Sequence, residues 1–312
     1  MPSVVVSEYR FVVDDASLSL RGESRADLEA AFNGLSDQIQ LSRDRGEPVG
    51  IISAFDVLEF RPGLPVYELL TGDDLPRDCR VRAYGLLDKC GRVDQDPGFA
   101  ISPDIEVDGV ALESFALAIV ADAYRNGEAV GAFALFPVGG PGQVTITDEV
   151  GINMGFVIVD DGTRCAFYRS IFGVENVPEG EFFALAVVAF PRLRFVDGLS
   201  FRSFSGSYRD LRDPVVLHLS ALSDRFRAAF IEFKGMSEPI AAAVGVDLSI
   251  EGGTRQSERL MAMRDVIYGG ERYRCEWHSK LEPHRNRIHF HPGNQGTEDC
   301  VLVGIFVEHL PT

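Results

Sequence analysis

The sequence predicts an α+β protein in two parts, with a mixed α/β region first and a helical segment plus an antiparallel three-stranded sheet last. Three observations support this class. Short β-branched runs alternate with helical periodicities over residues 1–200. Residues 201–312 begin with helical spacing and close with three strand candidates. A chain of 312 residues can hold two domains, so we predict an acidic α/β domain at 1–200 and a second domain at 201–312.

The elements of the first part follow from local patterns of apolar residues and caps. Residues 25–42 space their apolar side chains at helical intervals, and Ser24 is a suitable N-cap. Residues 182–190 are apolar throughout and fit either a strand or a helix. The full set comprises strands at 4–13, 48–60, 100–107, 129–136, 144–147, 155–159 and 165–168, and helices at 25–42, 76–91 and 112–125.

The second part is predicted to hold three helices followed by three strands. Asp213 and Pro214 favour a helix start, because a carboxylate caps the first turn and proline is tolerated there. The predicted helices are 213–233, 237–246 and 254–268, and the predicted strands are 272–280, 287–291 and 301–309.

Composition excludes several classes of protein. The net charge of −17 disfavours non-specific binding of nucleic acid over the whole surface. Five scattered cysteines without C-x-x-C spacing argue against a disulfide framework or a zinc ribbon. There is no signal peptide pattern, and no apolar run approaches the roughly 20 residues that span a bilayer. We therefore predict a cytoplasmic protein without membrane association, and the absence of nucleotide-binding motifs predicts no cofactor.

The segment "YRCEWHSKLEPHRNRIHFHP", residues 273–292, concentrates the chemistry of the chain. Five of the six histidines lie in the last 35 residues, and the only tryptophan, Trp277, directly precedes them. Strand alternation predicts a hairpin in which His278 pairs with His289, Lys280 with Arg287 and Glu276 with His291. The same register places Trp277 opposite Phe290 and Ser279 opposite Ile288, so that one face is apolar and the other holds the charged and histidine side chains.

The predicted pairing of Lys280 with Arg287 sets two like charges opposite each other, which is unfavourable. Flaring of the strands or a bound anion would relieve the repulsion. The window 271–292 also carries five basic against three acidic residues. We therefore predict an anion-binding tip formed by Lys280, Arg285 and Arg287.

The histidine face leaves several interpretations open. It is a structural or partner-binding surface, a phosphate-binding surface without chemistry, or a site of metal-independent phosphodiester cleavage, in which basic groups stabilise charge and histidines transfer protons. A zinc site formed by His278, His289, His291 and Glu276 is a further alternative, which the neighbouring cations disfavour, so no metal is predicted. The E-x-K sequence at 232–234 is a weaker signal of a metal-dependent nuclease. The candidate catalytic residues are His278, Lys280, Arg287, His289, His291 and His309.

The C-terminal order of helices and strands, ending in "RIHFHPGNQGTEDCVLVGIFVEHL", resembles the RelE/HigB superfamily of small ribosome-dependent ribonuclease toxins. The resemblance covers about the last 100 residues, and this chain is longer and more acidic than those toxins. It implies that basic side chains on the open face of the sheet hold RNA and that a residue late in the chain assists proton transfer. The matching positions are Lys280, Arg287, His289, His291 and His309.

These observations predict a subunit or interaction protein of a larger bacterial-type assembly, related to toxins or antiviral defence. A protein partner is expected, with nucleic acid as a further ligand at the C-terminal basic tip. The alternative is a nuclease that cleaves RNA or DNA without a metal through the C-terminal hairpin.

Overall fold

The computed structural model describes residues 8–18, 23–95, 101–283 and 285–310. His284 and residues 4–7 of the first predicted strand lie outside these ranges. The chain forms two compact units, Met1–Asn176 and Val177–Thr312. The boundary between the two units therefore lies earlier in the chain than the boundary at residue 200 that the sequence predicts.

The first unit contains ten strands and five α-helices among its described residues. Its strands are β1 (Phe11–Val13), β2 (Val49–Ile51), β3 (Glu59–Arg61), β4 (Leu64–Pro65), β5 (Gly91–Arg92), β6 (Asp104–Val107), β7 (Val110–Glu113), β8 (Gly131–Phe133), β9 (Gly142–Thr147) and β10 (Ile152–Ile158). Its helices are α1 (Arg25–Asp44), α2 (Val66–Thr71), α3 (Arg77–Leu87), α4 (Phe115–Arg125) and α5 (Asp161–Val174). The predicted strand at 165–168 is wrong, because these residues lie in α5.

An eight-stranded sheet organises the first unit, in the order β5-β2-β1-β8-β10-β9-β6-β7. The five strands from β5 to β10 are parallel, and β9, β6 and β7 continue the sheet in antiparallel pairs. Strand order reverses between β1 and β8. In open α/β sheets, ligands bind beyond the carboxyl ends of the strands at such a point, and the residues that follow β1 occupy this position.

A buried arginine joins α1 and α5 on one side of this sheet. Arg164 donates to the Gln38 carbonyl at 2.9 Å and the Ser42 hydroxyl at 2.5 Å, and it lies 3.0 Å from the Glu47 carboxylate. Its guanidinium also lies over the Phe11 ring, 4.7 Å from the centroid. This buried charge is satisfied on every side, as burial of a charge requires.

The second unit contains seven strands and five α-helices among its described residues. Its strands are β11 (Leu193–Phe195), β12 (Leu248–Ile250), β13 (Asp265–Tyr268), β14 (Glu271–Arg274), β15 (Trp277–Lys280), β16 (Arg287–His291) and β17 (Val301–Val307). Its helices are α6 (Phe182–Ala189), α7 (Tyr208–Ala221), α8 (Arg227–Glu232), α9 (Ser237–Val244) and α10 (Glu258–Met261), with a π-helical turn at Leu222–Phe226 between α7 and α8.

Two of the predicted helices in this unit need correction. Helix α7 begins at Tyr208 with Ser207 as its N-cap, so Pro214 lies inside the helix rather than at its start. The predicted helix at 254–268 is reduced to the four residues of α10, and the chain then enters β13.

The C-terminal sheet has five strands, in the order β11-β17-β16-β15-β12. The predicted strands 287–291 and 301–309 and the second part of the predicted strand 272–280 form its centre and pair antiparallel. The first part of 272–280 belongs instead to β14, which pairs with β13 in a separate two-stranded sheet. The expectation of three strands is too low, because the three-residue strands β11 and β12 pair with its two edges. Strand β11 runs parallel to β17, and β12 runs antiparallel to β15.

The predicted register of the histidine hairpin is confirmed. Trp277 pairs with Phe290, His278 with His289, Ser279 with Ile288 and Lys280 with Arg287. The ladder between the two strands ends at Trp277 and Phe290, so the predicted pair of Glu276 with His291 is not part of it. The separation of the two faces follows from this register, since side chains alternate along each strand.

Both faces of the hairpin are covered. On the apolar face, Phe226 of the π-helical turn packs against Trp277 and Phe290, with ring centroids 5.3 and 4.8 Å apart. The residues between β12 and β15, 251–276, fold over the other face. They are held at their ends by the Glu251 amide, which donates to the Glu276 carbonyl at 2.9 Å.

A bulge in β17 accommodates this covering segment. His289 pairs with Ile305 and Phe290 pairs with Val303, so Gly304 is an extra residue on β17. A Cβ at Gly304 would lie 2.3 Å from the Cys275 sulfur. Glycine is therefore required by the close approach of the covering segment.

No helix among the described residues is long and apolar enough to cross a membrane.

We expect Gly304→Ala to destabilise the second unit by roughly 1–3 kcal/mol, because the added methyl group displaces Cys275 and the covering segment. Urea unfolding followed by the fluorescence of Trp277, the only tryptophan, measures this unit directly. Gly180→Ala is the matched control, since nothing lies within 4 Å of its Cβ position. Equal stability of the two variants would contradict the close approach.

Candidate functional site

Four ionisable side chains meet on the covered face of the C-terminal sheet. The Glu251 Oε1 atom lies 2.9 Å from Arg264 Nε, 3.4 Å from His278 Nδ1 and 3.9 Å from His289 Nδ1. All four residues are buried, with 7% or less of each side chain exposed. We call these residues the Glu–His cluster.

The sheet sets the position of each histidine. His278 and His289 are directly opposed on β15 and β16, and their ring centroids are 5.1 Å apart. Strand β12 pairs Ser249 with His278, and the Ser249 hydroxyl lies 2.8 Å from His278 Nε2. Glu251 follows the end of β12 by one residue and so reaches the same face as Ser249.

Burial lowers the pKa of both histidines. The pKa of His278 falls to about 4, because desolvation outweighs the opposing attraction of Glu251. The pKa of His289 falls to about 3, by desolvation first and then by repulsion from His278 and Arg264. Both imidazoles are therefore neutral near pH 7.

Several polar atoms of the cluster make no hydrogen bond. They are His278 Nδ1, the ring nitrogens of His289, one of which has the Cys275 backbone beside it, and Glu251 Oε1, which has the Arg264 guanidinium beside it. Buried polar atoms without partners are uncommon in native proteins and ask for an explanation. One donor atom from each of Glu251, His278 and His289 lies within 4.8 Å of the other two, which is close enough for a shared metal ion.

The predicted anion-binding residues lie at the loop end of the same hairpin. Lys280 Nζ forms an ion pair with Asp247 at 3.1 Å, and the exposed Arg285 pairs with Glu282. Arg287 is half-buried, and its Nε atom is buried without a hydrogen-bond partner. The repulsion between Lys280 and Arg287 is therefore offset on the lysine side by Asp247.

The remaining predicted catalytic residues lie away from the cluster. His291 accepts a hydrogen bond from the Gly293 amide at 3.1 Å and lines a cleft of about 550 Å³ together with Trp277 and Tyr273. Burial lowers its pKa. His309 is exposed after the end of β17. Of the six candidates, the structure brings His278 and His289 into contact, with Lys280 and Arg287 two residues further along the same strands.

The zinc ligands that the sequence suggests differ from the residues that lie together in the structure. Glu276 forms an ion pair with Arg255, and His291 lies in the cleft. Glu251 takes the place of Glu276 in the cluster. Sequence reasoning missed it because Glu251 and His278 are brought together only by the pairing of β12 with β15. The acidic residue directly after the short run Leu248–Ile250 is the signal that could have found it.

The structure also gives the positions of the E-x-K sequence and of an aspartate pair in the first unit. At the E-x-K sequence, α8 ends at Glu232 and Lys234 adopts a left-handed conformation with φ of 50°. In the first unit, Asp14 and Asp15 follow β1 at the point where strand order reverses. Asp15 accepts hydrogen bonds from the amides of Phe115 and Ala116 at the start of α4.

The aspartate pair has a structural role in this arrangement. The helix start stabilises the Asp15 carboxylate. Burial and the adjacent Asp15 raise the pKa of Asp14 to about 7. The Ser114 hydroxyl bonds both residues, at 3.0 and 2.9 Å, and so joins β1 to α4.

Comparison with protein families, with curated proteins and with solved structures finds no match for this chain. The function of the chain is therefore inferred from its own geometry.

We expect the stability of the second unit to fall as the pH is lowered from about 6.5 toward 4. A histidine whose folded pKa is depressed binds its proton in the unfolded state first, so stability is present above the unfolded pKa and is lost below it. Urea unfolding by Trp277 fluorescence in the presence of a chelator, at pH 7, 6 and 5, measures the slope.

The double variant His278→Gln/His289→Gln should have a shallower slope than the wild type, because two of the histidines with a depressed pKa are removed while His218 and His291 remain. His309→Gln is the control and should keep the full slope. An unchanged slope in the double variant would show that the two imidazoles do not titrate with unfolding.

Proposed function

We propose that this chain is an interaction protein and that the loop end of the C-terminal hairpin binds an anionic group on a partner protein. The observation that carries the proposal is the pair of cations Lys280 and Arg287, which face each other in the ladder while Arg287 Nε is buried without a partner.

The charge balance at this end supports the proposal. Asp247 neutralises Lys280, but no carboxylate among the described residues lies within ion-pair distance of Arg287. A guanidinium binds carboxylate or phosphate through two parallel hydrogen bonds, and it is commonly used for this purpose at interfaces. An anion at Arg287 would remove the remaining repulsion across the strand pair.

A protein partner is favoured over a long nucleic acid by the charge of the chain. The net charge of −17 repels a polyanion that extends beyond the local site. A single carboxylate or a short acidic segment meets only the local cations. Membership of a larger defence- or toxin-related assembly is part of the same proposal and has its support in the sequence resemblance alone.

The metal-independent nuclease stays a prediction. Such a reaction requires a proton donor and acceptor near neutral pH. His278 and His289 are enclosed and neutral, and His291 and His309 lie elsewhere on the unit. Cleavage of labelled RNA and DNA, with His291→Gln as the variant, tests that alternative directly.

We expect Arg287→Gln to weaken binding of a fluorescent acidic peptide about tenfold or more, since a lost charge-assisted hydrogen bond costs about 1.5–3 kcal/mol. Fluorescence anisotropy at low ionic strength measures the affinity, and added salt should reduce it. Arg285→Gln is the matched control, because Arg285 is exposed and already paired with Glu282.

Three outcomes would overturn the proposal. They are equal binding by the two variants, no binding of the peptide by the wild type, and binding of a single-stranded RNA of equal length in preference to the peptide. The last result would assign the site to nucleic acid instead.

A further inference from the structure

We propose that Glu251, His278 and His289 form a binding site for a divalent transition-metal ion of the zinc class. The ligands are a carboxylate oxygen of Glu251, Nδ1 of His278 and a ring nitrogen of His289, which come from β15, β16 and the residue after β12. This inference goes beyond the anionic interaction proposed above and does not depend on it.

The geometry of the donors fits a small tetrahedral ion. Zinc binds nitrogen and oxygen ligands at about 2.0–2.2 Å, so two ligands of one tetrahedral ion are about 3.4 Å apart. Glu251 Oε1 lies 3.4 Å from His278 Nδ1 and 3.9 Å from His289 Nδ1. The donors of the three residues lie within 4.8 Å of one another, so the two imidazoles draw closer to complete the site. Two histidines and one carboxylate make the site suitable for zinc rather than for calcium or magnesium.

A metal ion would satisfy three buried donors at once. His278 Nδ1 and one ring nitrogen of His289 are buried without a hydrogen bond, and Glu251 Oε1 has only the Arg264 guanidinium beside it. Each of the three would gain a bond to the ion. Both imidazoles are already neutral, so binding requires no loss of a proton at neutral pH.

The surroundings of His278 suit a metal ligand. Its Nε2 atom lies 2.8 Å from the Ser249 hydroxyl. When Nε2–H donates to that oxygen, Nδ1 carries the lone pair and faces Glu251. Metal-bound histidines are commonly oriented by such a hydrogen bond from the second ring nitrogen. Ser249 is thus a positioning residue for the site.

The positive charge of Arg264 lies beside the proposed site and repels a metal cation. Its Nε atom is 2.9 Å from Glu251 Oε1, and its Nη1 donates to the Leu260 carbonyl at 2.9 Å. Arg264 and the two histidines all face Oε1, so metal binding requires the Arg264 guanidinium to shift toward the second carboxylate oxygen, Oε2. The guanidinium then orients the carboxylate but weakens the affinity for a cation by repulsion.

The enclosure of the site indicates what the ion does. The ligand side chains are at most 7% exposed. A metal in this position joins β15 and β16 to the residue at which the covering segment, 251–276, begins. Three protein ligands leave the fourth position of a tetrahedral ion to a water molecule, and the enclosure keeps a substrate from reaching it. The effect of the ion is therefore to stabilise the second unit.

The test uses the full chain, stripped with a chelator and titrated with Zn²⁺ and then with Co²⁺. We expect one equivalent to raise the unfolding midpoint followed by Trp277 fluorescence, and Co²⁺ to give the visible absorption of a tetrahedral ion with nitrogen ligands. Glu251→Gln and His289→Gln should each weaken binding at least tenfold, whereas the control His309→Gln, an exposed histidine, should bind as the wild type does.

Arg264→Met provides a second and opposite readout. Without metal it should destabilise the unit, since it leaves Glu251 buried and unpaired. With Zn²⁺ the lost stability should be recovered, and the affinity should rise because the repulsion is removed. A variant that only misfolds would be less stable both with and without Zn²⁺, so recovery of stability with Zn²⁺ separates metal binding from a folding defect.

The proposal is overturned if the wild-type Co²⁺ spectrum is that of an octahedral, oxygen-bound ion. It is also overturned if His289→Gln and His309→Gln bind Zn²⁺ equally, which would place the ion on the acidic surface. If the Gln variants fail to fold, the wild-type spectrum and the Arg264→Met response decide the question by themselves.

Discussion

Burial of the Glu–His cluster is the constraint on which the second unit depends. An ion pair loses its hydration when it is enclosed, and this loss is tolerable only when the partners stay together. Glu251 and Arg264 lie at two points of the covering segment, so their pairing at 2.9 Å holds that segment on the sheet. The close approach at Gly304 and the bulge in β17 follow from the same requirement.

Enclosure of both faces moves the accessible chemistry to the two ends of the hairpin. The apolar face packs on the helix that contains Phe226, and the histidine face packs on the covering segment. Lys280 and Arg287 remain at the loop end, and His291 remains in the cleft at the other. A reaction that needs these groups together would require the covering segment to move, whereas binding at either end does not.

The sequence was sufficient for features that depend on local alternation. The register of β15 and β16 could be predicted because a slip of one residue would exchange Trp277 and Phe290 with the histidines. Helix α1 and its cap Ser24 were predicted for the same local reason. Strand β12 was missed because three residues carry too little periodicity, and Glu251 was missed with it. The burial of His278 could not be predicted, since a segment without a repeating pattern provides the cover.

The proposed metal site and the proposed anion site would be coupled through the electrostatic field across the hairpin. Arg287 and Lys280 both lower the pKa of His278, so their positive charge is felt in the cluster. The same potential opposes a metal ion at that place. An anion bound at Arg287 would cancel part of it and so strengthen metal binding, and by linkage the metal would strengthen anion binding by the same factor. A metal ion at one proposed site and an anion at the other would therefore each increase the affinity for the other ligand, although the two ligands are not in contact.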